Sequence, residues 1–163
     1  TVFSRFLACA PQGTYMIYLR YMKYLAIDYG KKKIGIATSD DGGEMAFPCM
    51  VIENNKMLLT EVKQLCKELK IGAIVMGESL DQNGKPNAIA KDARAFAVLL
   101  EDTLDLPLSF EKEWMTSVHA RAMQEGKEIV DDSAAALILQ RYLDKKNKVV
   151  AKDDEDVEEE ETE

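Results

Sequence analysis

Apolar and polar positions change their period along this chain, and the changes divide it into elements. Tyr24 to Asp28 is a short apolar run of strand formers, followed by the basic turn Tyr29-Gly-Lys-Lys-Lys33. Ile34 to Thr38 reads as a second strand, and Asp40-Asp-Gly-Gly43 is a hairpin signal. Ala46 to Ile52 reads as a third strand, with Pro48 placing it near a sheet edge because proline has no N–H for a ladder. The period then lengthens. Leu58, Leu59, Val62, Leu65, Cys66 and Leu69 recur at spacings of three and four, an amphipathic helix. Ile71 to Gly77 is a nearly continuous apolar run, the pattern of a strand buried on both faces. Glu78 to Asn87 reads as a polar loop, Ala88 to Leu104 as a helix and Leu106 to Trp114 as a strand. Thr116 to Gln124 predicts a short helix ended by Gly126, and Asp131-Asp-Ser caps a last helix over Ala134 to Leu143.

The order β-β-β-α-β-α-β-α-α predicts an α/β fold. Three strands form an antiparallel meander, parallel strands extend it into a mixed five-stranded sheet, and helices cover the faces. That order is the one of the RNase H-like fold.

Composition narrows the picture. The chain has 163 residues, 47% of them hydrophobic, enough for one domain that buries roughly two-thirds of its unfolded surface. Cys9, Cys49 and Cys66 are odd in number and show no paired spacing, which argues against a disulfide framework or a zinc site and for a reducing compartment. The net charge of -8 is misleading as a global figure. Residues 153–163 hold nine acidic side chains and no basic one, so the body carries 20 acidic against 21 basic groups. A near-neutral body has room for a local basic patch. No segment reaches the roughly 20 apolar residues of a membrane helix. The expected organisation is an N-terminal extension at 1–21, a folded domain at 22–147 and a disordered acidic tail at 148–163, since the tail has little to bury and repels itself.

Candidate chemistry is carboxylate chemistry. Asp28 ends the first strand, where it reads either as a turn former or as a cleft-facing acid. Lys31, Lys32 and Lys33 beside it read as a solvated hairpin tip or as contacts for phosphate oxygens. Glu78 ends the fourth strand, and the carboxyl ends of parallel strands are the usual place for ligand groups. If the first and fourth strands are parallel neighbours, Asp28 and Glu78 are expected side by side. Lys85, in the loop after Glu78, could reach a phosphate. Asp131 and Asp132 open the last helix, where one acid suffices as a cap. Glu111 and Glu113 share a strand face, turned either to solvent or, for Glu113, toward the site. Trp114 reads as a packing residue or a base-stacking one, and His119, the one histidine, as a helix-surface residue. Converging carboxylates repel unless cations lie between them. Mg²⁺ or Mn²⁺ prefers oxygen ligands, and two such ions about 4 Å apart activate water and stabilise a leaving oxygen in phosphodiester hydrolysis.

These residues resemble the YqgF/RuvX family. The similar segments are Leu25 to Ala37, Ser39-Asp40, Ile74 to Gly77, Asn83-Gly84, Met115 to Ala120 and Val130 to Leu139. The resemblance implies an RNase H-like, metal-dependent nuclease of the cytoplasm. It further implies action on structured RNA, in maturation of pre-16S rRNA, or on branched DNA of the Holliday-junction kind, with a homodimer as one arrangement. It places catalytic acids at Asp28 and Asp131. Where the family carries Asp-Glu-Arg, this chain has Lys112-Glu113-Trp114. The expected metal triad is therefore Asp28, Glu78 and Asp131, with Glu78 taking the place vacated at Lys112 and with Glu113 and Asp132 as accessories. The same departure leaves open a second reading, a weakly active or inactive nucleic-acid-binding protein.

Overall fold

The computed structural model describes residues 22–78, 88–112 and 131–160, the last stretch with side chains from 133 to 149. Five strands form one sheet in the order β3-β2-β1-β4-β5. They are β1 (Tyr24–Tyr29), β2 (Lys33–Ser39), β3 (Ala46–Glu53), β4 (Ala73–Glu78) and β5 (Leu108–Lys112). The β1–β2 and β2–β3 pairs are antiparallel, and the β1–β4 and β4–β5 pairs are parallel. Helices α1 (Leu58–Glu68), α2 (Ala88–Leu104) and α3 (Asp131–Glu160) complete the described elements. This is the mixed, helix-flanked sheet that the hydrophobic pattern predicts. The expected extension at 1–21 and the short helix at 116–124 lie outside the described residues.

Pro48 does sit on an edge strand. Between Ile36 and Ala37 the β2–β3 register shifts, because Met50 faces Ile36 while Pro48 faces Ala37. Cys49 is the extra residue, and the bulge accommodates a proline that donates nothing to the ladder.

Strand alternation sends successive side chains to opposite faces. Leu25, Ile27, Ile34, Ile36, Ile74 and Met76 point to one face and are covered by Val62 and Cys66 of α1 and by Phe96 and Leu100 of α2. Tyr24, Ala26, Ala37 and Val75 point to the other, under Ala135, Ile138, Leu139 and Leu143 of α3. The first core is built mostly of branched and long side chains; the second sets alanines of the sheet, Ala26, Ala37 and Ala73, against Tyr24 and the large side chains Ile138, Leu139 and Leu143 of α3.

Two features of α3 correct the expectation. The helix begins at Asp131 rather than Ala134, so Asp131 and Asp132 occupy its first turn, where negative groups suit the helix dipole. It also continues to Glu160, through most of the segment expected to be a disordered tail at 148–163. Extending a helix already nucleated and packed costs little, and glutamate is a good helix former. Among the described residues, no helix is long and apolar enough to cross a membrane.

Candidate active site

Asp28 lies near the carboxyl end of β1 and is half-buried. It shares the α3 face with Tyr24 and Ala26, two and four residues earlier. Its antiparallel partner on β2 is Gly35. On the other side the β1–β4 ladder pairs Ile27 with Met76, and the next residue of β4 is Gly77. Its neighbours on both flanking strands are therefore glycines. A carboxylate oxygen is the kind of ligand that a hard divalent cation prefers.

Glu78 is placed differently from expectation. The strands are parallel neighbours, as predicted, but Glu78 shares parity with Ile74 and Met76, which belong to the α1/α2 core. Its side chain pairs there with Arg94 of α2. Asp28 and Glu78 thus point to opposite faces of the sheet and are not side by side. The period of two decides this: adjacency of strands does not give adjacency of side chains. Lys112, in register with Glu78 and exposed, shares the α1/α2 face.

Gly77 pairs with Glu111 of β5. Glu111 consequently lies on the Asp28 face, with one glycine between them. It is 6% exposed and ion-paired with Lys145 of α3. A solvent-facing reading of Glu111 is overturned, because α3 supplies the cation that lets a carboxylate sit there. The alternation of Glu111 with Lys112 could have signalled a shared face with Gly77, but only once the register was known.

The basic turn is braced. Asn54, just past β3, donates from Nδ2 to the Gly30 carbonyl at 2.9 Å, and its backbone N–H donates to the Lys32 carbonyl at 2.9 Å. Lys31, Lys32 and Lys33 are all exposed, and Lys33 shares Asp28's face by its parity with Gly35. Glu113 and Lys85 lie outside the described residues. Asp131 and Asp132 are placed by backbone alone, at the start of the helix that covers the Asp28 face. Among the described residues there is no group of three acidic, histidine or cysteine side chains able to hold a metal.

Helix α3 is fastened to the β2–β3 hairpin. Gln140 accepts from the Ala46 N–H at 2.9 Å and donates to the Glu44 carbonyl at 3.0 Å. Lys146 donates to the Gly43 carbonyl at 3.1 Å and sits 4.9 Å over the Tyr24 ring. Burial pushes the Lys146 ammonium below its ordinary range, against the opposing pull of Asp40 and Glu44. Burial also works to raise Asp40, but hydrogen bonds from the Glu44 and Met45 N–H groups and the charge of Lys146 prevail and hold it low. These contacts anchor the helix that carries Asp131. Burial pushes the Cys66 thiol up to about 11, which keeps it protonated and unsuited to nucleophilic work.

The sequence profile described as RuvX, Holliday junction resolvase, matches residues 22–145. The chain belongs to this family. The match spans Asp28, Glu78, Glu111 and Asp131. A relative from Syntrophomonas wolfei subsp. wolfei, named "Putative pre-16S rRNA nuclease", is 35% identical over 76% of this chain and 94% of its own length. One from Limosilactobacillus fermentum with the same name is 32% identical over 80% of this chain and 99% of its own. Among solved structures, Thermus thermophilus RuvC in complex with Holliday junction substrate superposes with a TM-score of 0.51 at 14% identity, covering 75% of this chain and 93% of that one. At that identity the RuvC likeness speaks to the fold, and the fold is the RNase H-like one.

Proposed function

We propose that this RuvX-family chain hydrolyses phosphodiester bonds in structured nucleic acid with the help of Mg²⁺ or Mn²⁺, in the cytoplasm, and that its substrate is the 5′ region of pre-16S rRNA. The observation that carries the reading is Asp28, a carboxylate at a strand end with glycines on both neighbouring strands. Asp28 and Asp131 are the proposed metal ligands. Glu113, two residues after Glu111 in the sequence, is the proposed accessory acid. A bound divalent ion would supply Lewis acidity at the phosphorus and lower the pKa of a water. The protein's own part is to hold the acids, admit the backbone and contact its phosphates through Lys31, Lys32 and Lys33. Glu78, tied to Arg94 on the other face, is left out of this set.

The departure at Lys112 leaves the proposed set of acids intact. Lys112 shares a face with Glu78, so an acid replaced there takes no ligand from the Asp28 face. The branched-DNA alternative rests on the family description alone. The deciding experiment is a cleavage assay on pre-16S rRNA and on a four-way DNA junction, with Mg²⁺ or Mn²⁺ and with chelator. Asp28→Asn should lower metal-dependent cleavage on the order of 100-fold or more, the scale of losing a group that stabilises transition-state charge. Cleavage of the junction alone would move the substrate to DNA. Cleavage of neither, with binding retained, would favour the inactive-binder reading.

A further inference from the structure

The second sheet face ends in a cluster that the proposed hydrolysis does not use. Arg94 of α2 lies with its guanidinium 5.4 Å from the centre of the Phe110 ring. Its other partner is Glu78, at the end of β4. Phe110 is 39% exposed although it faces a helix-covered side of the sheet. Lys112 follows it by two residues on β5, is exposed and shares its face. Lys91, also exposed, precedes Arg94 by one turn of α2.

The arrangement is a guanidinium over a part-exposed aromatic ring, with Lys112 on the same strand face and Lys91 one helical turn before Arg94. Glu78 engages one edge of the guanidinium, which has five N–H groups in a planar fork. The Arg94 side chain is 55% exposed, while Glu78 is 13% exposed. The net charge of Lys91, Arg94 and Lys112 against Glu78 is positive. Aromatic rings stack on unpaired bases whatever their sequence, and adjacent cations track the phosphates. A protein partner with an acidic surface would use the cations but has no need of an open ring beside them.

We propose that Arg94, Phe110 and Lys112 form a docking surface for an unpaired strand flanking the cleavage point, on the sheet face opposite Asp28. This rests on the proposed nuclease reading. Asp28, Glu78 and Lys112 all lie at the carboxyl ends of the parallel strands, so a strand leaving the Asp28 side crosses the end of the sheet to reach Phe110. Glu78 acts here as a positioning residue: it presents Arg94 and, by its charge, moderates the hold on phosphate.

The test is equilibrium binding of the full chain in chelator, so that no cleavage occurs. The probes are a fluorescent blunt RNA duplex and the same duplex with an unpaired tail. Phe110→Leu should weaken binding of the tailed duplex about 5-fold or more and leave the blunt one unchanged. Arg94→Gln with Lys112→Gln should lower the salt slope of tailed-duplex binding by roughly 1.4, two single-strand phosphate contacts. Glu78→Gln should tighten binding of the tailed probe, because the hydrogen bond to Arg94 survives and the opposing charge does not. The exposed Lys112→Glu variant, which disturbs no core, should weaken the tailed probe most. Equal losses on both probes, or wild-type binding by all variants, would overturn the surface while leaving the nuclease reading intact. Failure of the wild type to bind either probe would overturn both.

Discussion

The two faces of the sheet are built for different tasks. The α1/α2 face carries Leu25, Ile27, Ile36, Ile74 and Met76 under two helices, a deep core of large side chains. The α3 face carries Tyr24, Ala26, Ala37 and Val75 under a single helix that contributes Ala135, Ile138, Leu139 and Leu143, so small positions of the sheet receive large ones of the helix. Small side chains bring helix and sheet into close approach, so any polar group between them must be placed and paired. The α1/α2 face has a charged pair at its rim, Glu78 with Arg94. The α3 face has Asp28 between glycines and the buried Glu111 paired to Lys145. Both faces bury a core, and the α3 face also holds the proposed chemistry.

The sharpest way to break that comparison is to exchange their acids. Asp28→Asn should nearly abolish cleavage, as given above, while Glu78→Gln should retain it. Loss of cleavage in both would return Glu78 to the metal set. The next effect is in packing. Leu100→Ala, on the deep face, should cost about 2–5 kcal/mol in chemical denaturation, since the surrounding core closes only partly over the gap. Ala135→Leu, on the α3 face, should cost about 1–3 kcal/mol by overpacking rather than by a cavity. If Ala135→Leu were neutral, the α3 face would not be close-packed.

Smaller again is Lys145→Met, which removes the partner of Glu111. Losing one partner of a buried pair costs about 3–5 kcal/mol. Lys145 is two-thirds exposed, so water replaces much of its field, and about 1–2 kcal/mol is expected. Combining it with Glu111→Leu should recover most of the loss. The smallest effect concerns Asp40. Its carboxyl is held below the ordinary 3.8, so it stabilises the fold above that pH and ceases to as pH falls through the lower native value. Asp40→Asn keeps an acceptor for the Glu44 and Met45 N–H groups but removes the titration. Its acid unfolding profile should be flatter below about pH 4, by a fraction of a kcal/mol to about 1 kcal/mol.

Much of this architecture was legible beforehand. Periods of two and of three to four marked the five strands, α1 and α2, and Ala88 to Leu104 coincides with α2 in the structure. Asp28 was legible as a charged end to an apolar strand beside a basic turn. The length of α3 was not: a run of like charge argues for disorder, and only a helix already seated on the sheet makes its continuation to Glu160 favourable. Glu111 was misleading because its partner, Lys145, lies 34 residues away.

Local composition thus determined which segments are strands and helices, that the sheet is mixed, and which carboxylates end its strands, because those properties depend on near neighbours in the chain. Only the tertiary structure decided that Asp28 and Glu78 lie on opposite faces of the sheet and that Gly35 and Gly77 flank Asp28. It also decided that Lys112 joins Arg94 and Phe110 rather than the acids. The reason is register. A strand's side chains alternate with a period of two, so the face each residue takes relative to a distant strand depends on a single-residue alignment between segments that local pattern leaves free.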